Sequence, residues 1–364
     1  MRALVIAGPA VTHLMLMAPL AWALRAAGDD ILVAGPPDIA GAAAAAGLST
    51  FVLGDDHREV ERWRRRPPPD PSGEPPWAFF REEWRDRAGR LGPRCRELIR
   101  DWRPDLLITD PLEFLALSAG AALGIPVVQH RWGLDRIGGA RMHHMREALG
   151  ELATPALVLD PCPPAVRVPD VPEGAPISAI PSNGIGSQPA WARRRERSRR
   201  LCLSVGNRTL RMGGMPMLRA AVDAAAALPD TETVVTIDQP SRAALGPVPD
   251  SIRLVDPVPL DLFLGTCDAV VQHGGWGTAF TALAFGLPQI VLPLFPYSAE
   301  VADRMAAAGV GPAVDPAEGT PAIAEAVRAV LDVDRYRAAA GTVRREMELM
   351  PSPAEVTETL RSLL

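Results

Sequence analysis

At 364 residues the chain exceeds what one hydrophobic core ordinarily holds, and its 48% apolar content is ample for two domains. A formal net charge of -5 argues against a nucleic-acid binder, whose footprint is a clustered basic surface. The four cysteines, Cys95, Cys162, Cys202 and Cys267, lack the paired spacing of zinc sites or redox dithiols and read as reduced structural thiols.

The opening Met-Arg-Ala-Leu-Val-Ile-Ala shows no cleavage pattern, and Glu, Asp or Arg interrupts every later apolar run before membrane-spanning length, so the expectation is a soluble cytoplasmic protein with no membrane partner. Residues 2–7 form a short apolar run, 13–27 have helical length and composition ending at Gly28, and 31–34 are apolar again, a β-α-β unit. Between 58 and 90 the pattern breaks into the Arg- and Pro-rich stretch 64–73, then Trp77, Phe79, Phe80 and Trp84; prolines and charges there argue against a core element. Two readings fit this stretch: a mobile flap whose aromatics face an apolar ligand, and a surface loop with one amphipathic helix. Residues 106–108, 112–123 and 126–129 repeat the β-α-β unit, and such alternation implies a parallel sheet wrapped by helices, a Rossmann-like domain.

A connection rich in proline, glycine, serine and arginine occupies 163–200. Alternation then resumes, with strands expected at 201–205, 234–237, 252–255, 269–272 and 289–292 and helices at 215–228, 276–284 and 322–331, a second Rossmann-like domain. Residues 334–349 and 352–364 read as two helices broken by Pro351 and Pro353.

The run Val271-Gln272-His273-Gly274-Gly275-Trp276-Gly277-Thr278 carries the strongest chemical signal. It puts a histidine and three glycines where an apolar strand meets a helix. Glycines let N–H groups approach anionic oxygens, the first helical turn leaves its N–H groups unpaired, and the helix dipole adds positive potential, a set suited to a diphosphate. The alternative is a plain strand-to-helix turn. The loop Ser204-Val205-Gly206-Asn207-Arg208-Thr209 offers a second glycine turn with a cation, or a solvated turn. His13 opens the first helix and Asp110 ends a strand at the same sheet edge, where a carboxylate could hold an imidazole in one tautomer. His130 precedes Arg131-Trp132, His57 sits in a polar loop, and the sequential His143 and His144 should diverge on a helix and carry no chemistry. Neither a nicotinamide glycine pattern nor a P-loop is found, which removes support from oxidoreductase and nucleotidase readings.

The stretch 251–364, through Ile252-Arg253-Leu254-Val255-Asp256-Pro257-Val258-Pro259-Leu260, the glycine run, Gly286-Leu287-Pro288-Gln289-Ile290-Val291-Leu292-Pro293 and Met350-Pro351-Ser352-Pro353, resembles the C-terminal domain of GT-B sugar-nucleotide glycosyltransferases that decorate macrolides, anthracyclines and related actinomycete metabolites. His13 with residues 19–28, and Trp102-Arg103-Pro104-Asp105-Leu106-Leu107-Ile108-Thr109-Asp110-Pro111, extend the resemblance to the N-terminal half. It implies two Rossmann-like domains facing across a cleft: an acceptor domain over 1–190, a nucleotide-sugar domain over 191–349, and a helix over 350–364 crossing back to the first.

By the same resemblance His13 is the general base, assisted by Asp110, of an inverting, metal-independent transferase that moves a deoxysugar from a dTDP carrier to a polyketide-like or aromatic acceptor. Backbone groups of Val258 would meet the base, His273 and Gly275 the diphosphate, and Thr278 would add its hydroxyl and N–H. Ser204, Gly206, Gly274 and Gly277 are further donor-site candidates, and on the flap reading Trp77 and Phe80, with His130 and Trp132, are candidates to line the acceptor. Related enzymes place an acidic residue, often followed by glutamine, where Tyr297 and Ser298 stand, so sugar binding here would favour a deoxygenated or amino-substituted sugar. The expected partners are a nucleotide-sugar donor and a small-molecule acceptor, with no cofactor, no metal and no nucleic acid; a homodimer and an activator protein stay open. A catalytically silent homologue acting as an auxiliary protein, and a sugar-nucleotide epimerase, are the competing readings.

Overall fold

The computed structural model describes residues 1–8, 10–54, 67 and 75–364. It divides into two compact units, one of Met1–Cys162, Val168–Ser178 and Pro351–Leu364, the other of Pro163–Arg167 and Ala179–Met350. Among the described residues no helix is long and apolar enough to cross a membrane.

The first unit is built on β1 (Arg2–Ile6), β2 (Asp30–Gly35), β3 (Thr50–Val52), β4 (Leu106–Thr109), β5 (Val127–His130), β6 (Leu157–Asp160) and β7 (Ala175–Pro176). They form one parallel sheet in the order β3-β2-β1-β4-β5-β6-β7. Because side chains alternate along a strand, β1 feeds two cores: Ala3 and Val5 pack on one face, Leu4 and Ile6 on the other. The first face is covered by α1 (Val11–Ala26), α2 (Pro37–Ala45) and the C-terminal helix Pro353–Arg361, which contributes Val356 and Leu360. That helix is anchored by Arg361, which donates to the Ala27 carbonyl and to Asp29, each at 3.0 Å.

The second face is covered by α3 (Trp77–Trp102), α4 (Leu115–Leu123) and α5 (Gly138–Leu149). Here the structure corrects the reading of 58–90 as lacking a core element. Trp77, Trp84, Leu91 and Leu98 recur every seven residues, close to two helical turns, and with Cys95 and Ile99 make one buried stripe. The prolines precede the helix except for Pro93, and the charges lie mostly off that stripe. Residues 55–66 and 68–74, with His57, lie outside the described residues. Helix α4 also begins three residues later than expected, because the carboxylates of Asp110 and Glu113 accept the N–H groups of Leu112 and Leu115, each at 2.8 Å, and hold this stretch as a turn.

The second unit repeats the topology with β8 (Arg199–Ser204), β9 (Thr231–Thr236), β10 (Ile252–Val255), β11 (Ala269–Gln272) and β12 (Gln289–Val291), all parallel, in the order β10-β9-β8-β11-β12. Its helices are α6 (Met215–Ala226), α7 (Gln239–Leu245), α8 (Trp276–Ala284), α9 (Pro296–Ala307), α10 (Gly319–Asp332) and α11 (Asp334–Leu349). Arg200 pins the preceding connection: fully buried, it pairs with Glu232 at 3.1 Å and donates to the carbonyls of Trp191, Ala192 and Arg194. In both sheets the winding direction reverses beside the first strand, between β1 and β4 and between β8 and β11. Such reversals are where open parallel sheets bind ligands.

Trp84 is 8% exposed at the centre of the α3 stripe. Trp84→Ala should therefore cost the first unit about 3–5 kcal/mol, read from urea unfolding, whereas removal of a flap residue would leave stability unchanged.

Candidate active site

At the first reversal, His13 stands in the opening turn of α1, with Asp110 directly after β4. His13 Nδ1 lies 3.4 Å from Asp110 Oδ1. A carboxylate only accepts, so the neutral ring carries its proton on Nδ1 and presents a lone pair at Nε2. Asp110 is 1% exposed, and its orientation is held by the N–H groups of Leu112 at 2.8 Å and Gly8 at 3.5 Å. Trp132, just beyond β5, stacks on the imidazole with centroids 4.6 Å apart and planes 14° apart. The ring is thus held by its edge on Asp110 and its face on Trp132, and keeps 14% of its side-chain surface open.

The other acceptor candidates sit differently. His130 is buried and donates from Nδ1 to the Arg131 carbonyl at 2.7 Å; desolvation pushes its pKa down, so it is a neutral interior histidine. Trp77 is buried and Phe80 partly buried in the helical layer, Trp77 against His144 at 4.6 Å and Phe80 stacked on Trp84 at 5.9 Å.

A buried ion pair escaped the sequence reading. Arg87 of α3 meets Glu113, and both press on the β1–α1 turn: a Cβ on Gly8 would stand 2.7 Å from Arg87 and 2.9 Å from Glu113. Burial pushes the Glu113 carboxyl up, against the pull of Arg87. The available signal was the spacing Asp110-Pro111-Leu112-Glu113 after a strand, two carboxylates on one turn.

His143 and His144 do not diverge as expected. Glu147 draws both rings to itself, His143 Nε2 at 3.4 Å and His144 Nδ1 at 2.9 Å, and the three ligand atoms lie within 4.8 Å of one another. Arg81 places its guanidinium 3.0 Å from His144 Nδ1 and 2.8 Å from Glu147, so a cationic group already serves this cluster.

At the second reversal, His273 follows β11 and faces the loop after β8. Its Nδ1 lies 3.5 Å from the Ser204 carbonyl, an acceptor only, which puts the proton of the neutral ring on Nδ1. Desolvation, aided by the nearby charge of Arg208, pushes its pKa down to about 4. Gly206, at φ +71°, lies against the imidazole; a Cβ there would come within 3.1 Å of it. The Ser204 hydroxyl accepts from Thr236 at 3.1 Å. Gly274, at φ +90°, abuts Ser298, whose Cβ would be 2.5 Å from any added Cβ. Ser298 is therefore fully buried as packing beneath the turn, and Tyr297 is the exposed member of the pair, stacked on Phe295 at 5.5 Å. Val258 is packed against the core beneath β11.

The N–H groups of Gly274 and Gly275, expected to face a diphosphate, donate to the Gln272 carboxamide at 2.8 and 3.2 Å. The first turn of α8 still leaves the N–H groups of Trp276, Gly277 and Thr278 without intrahelical acceptors, beside the Thr278 hydroxyl.

Two doubly wound units, one with a His–Asp dyad at its reversal and the other with a glycine turn and helix N-terminus, define the architecture of GT-B glycosyltransferases. Residues 85–206 and 219–363 match the N- and C-terminal domains described as erythromycin biosynthesis protein CIII-like, and the chain belongs to this family of glycosyltransferases. It is 33% identical to the L-demethylnoviosyl transferase of Streptomyces niveus, over 99% of this chain and 97% of that one. It is similar to the solved spinosyn rhamnosyltransferase SpnG, with a TM-score of 0.89, 37% identity and coverage of 99% and 100% of the two chains. SpnG complexed with thymidine diphosphate matches at a TM-score of 0.87 and 36% identity, over 99% of this chain and 100% of that one.

The neutral state of His273 sets a pH dependence. Its folded pKa lies below the ordinary value of about 6.5, so the unfolded chain takes up the proton first as pH falls. Its stabilising contribution is complete above about pH 6.5 and is lost as pH falls toward 4. Wild type minus His273→Gln, compared by chemical unfolding at pH 7 and 4.5, should show wild type losing on the order of 1–3 kcal/mol more.

Proposed function

We propose that the chain is an inverting, metal-independent transferase moving a deoxysugar from a thymidine diphosphate carrier to a polyketide-like or aromatic natural-product acceptor. The observation that carries the reading is the His13–Asp110 contact at the first sheet reversal, which leaves His13 Nε2 as a base with its other nitrogen fixed. Nε2 takes the proton of the acceptor hydroxyl as that oxygen bonds to the anomeric carbon and the bond to the diphosphate oxygen breaks on the opposite face. One displacement gives inversion. Trp132, stacked on the base, offers an aromatic face to an apolar acceptor.

The leaving diphosphate is met by the N–H groups of Trp276, Gly277 and Thr278, the dipole of α8 and the charge of Arg208, which together perform the electrostatic role a cation fills elsewhere. The anion also raises the proton affinity of His273, so the neutral ring becomes a two-nitrogen donor when the diphosphate binds. Tyr297, exposed and stacked on Phe295, gives the sugar an apolar face in place of a carboxylate, which suits a deoxygenated ring. Support for donor and acceptor classes comes from the relatives: SpnG was solved with thymidine diphosphate and with spinosyn aglycone, and the Streptomyces niveus relative is a demethylnoviosyl transferase.

His13→Ala should bind dTDP as wild type does, because the donor groups belong to the other unit, while product formation falls on the order of 10²–10⁴-fold. Chromatographic assay of glycosylated product with a dTDP-deoxysugar checks this; near-normal product from the variant contradicts the assignment of the base.

A further inference from the structure

Resting on the reading of the glycine turn as a diphosphate site, we propose that Gln272 and Gln289 form a positioning relay that decides which N–H groups of the turn reach the diphosphate. Both side chains are fully buried in the second unit. The relay starts from a group whose polarity is beyond doubt, the Ala279 carbonyl in α8, which can only accept. Gln289 Nε2 donates to it at 3.1 Å, so Gln289 Oε1 must point the other way. That oxygen accepts from Gln272 Nε2 at 2.9 Å, so Gln272 Oε1 in turn faces the glycine turn. There it accepts the N–H groups of Gly274 at 2.8 Å and Gly275 at 3.2 Å. Each amide is thereby oriented by its neighbour, and the chain of bonds ties the turn to the body of the helix it precedes.

The consequence is a register for the ligand. With two N–H groups consumed, the diphosphate is received by Trp276, Gly277 and Thr278, on the helix axis where the dipole is strongest. Were the Gln272 amide reversed, its NH₂ would confront two N–H donors, and the turn would have to move to relieve them. Gly274 cannot shift toward α9, because Ser298 fills that side. Gln289 belongs to the far end of the relay, one side chain removed from the turn, so a substitution there acts on ligand binding only through Gln272.

The test is calorimetric titration of the full chain with dTDP and with dTMP. Gln289→Leu removes the group that orients Gln272 and should weaken dTDP about tenfold while weakening dTMP less than about threefold, shrinking the preference for the diphosphate. Gln289→Met carries the same expectation should the leucine variant fail to fold. Gln289→Glu should rescue: burial keeps the carboxyl protonated, its O–H replaces the donor to Ala279, its other oxygen accepts from Gln272, and dTDP affinity stays within about threefold of wild type. Variants that bind dTDP as tightly as wild type, or that lose dTDP and dTMP equally with no rescue by Glu, overturn the relay. Failure of the wild type itself to bind dTDP overturns the functional reading as well, and the two failures are therefore distinct.

Discussion

Every functional side chain in this molecule depends on one constraint: in a parallel sheet all strands end at the same edge, and only at a winding reversal do two adjacent strands send their chains to opposite faces. The gap opened there is lined by residues that follow the strands. In the first unit β1 and β4 part, and His13 and Asp110 meet in the gap with Trp132 from the next strand over. In the second unit β8 and β11 part, and the Ser204 carbonyl and His273 meet in the same relation. One topology, used twice, gives a His–Asp dyad in one unit and a histidine beside a glycine turn and helix N-terminus in the other.

The two histidines show how surroundings divide labour between identical side chains. Each directs Nδ1 to an oxygen that can only accept, a carboxylate for His13 and a backbone carbonyl for His273. A carboxylate stabilises the imidazolium that forms when Nε2 takes a proton, as general-base catalysis requires. At His273 burial strips the solvation an imidazolium needs and the charge of Arg208 adds to that cost, which together outweigh the pull of the Ser204 carbonyl and keep the ring neutral. Gln272 and Gln289 suit this place as amides: they satisfy buried N–H groups beside the N-terminus of α8 without adding charge.

The elements that could be read from the sequence were those whose meaning is local. Short apolar runs located β1, β2, β4, β5 and the five strands of the second unit but not β3, β6 or β7, and the positions of His13 after β1 and of Asp110 and His273 directly after their strands put them at the reversal edges. What escaped depends on partners distant in the chain or on side-chain direction. The ion pair of Arg87 with Glu113 joins separate elements: the turn after β4 shows its two carboxylates, but nothing local names Arg87 as the partner. The α3 stripe was masked by the prolines before it, although its seven-residue recurrence was present. The His143 and His144 rings converge because Glu147 attracts both, an effect that backbone geometry alone does not contain. The glycine turn was correctly placed, yet which of its N–H groups are spent depended on the Gln272 carboxamide.

The division of labour between the two reversals is tested most directly by amide hydrogen exchange with and without saturating dTDP. Exchange should slow at residues 204–208 and 276–278 and stay unchanged at residues 10–14 and 109–113. Protection at the His13–Asp110 reversal with none at the glycine turn would contradict it, by placing the nucleotide in the unit assigned here to the base and the acceptor.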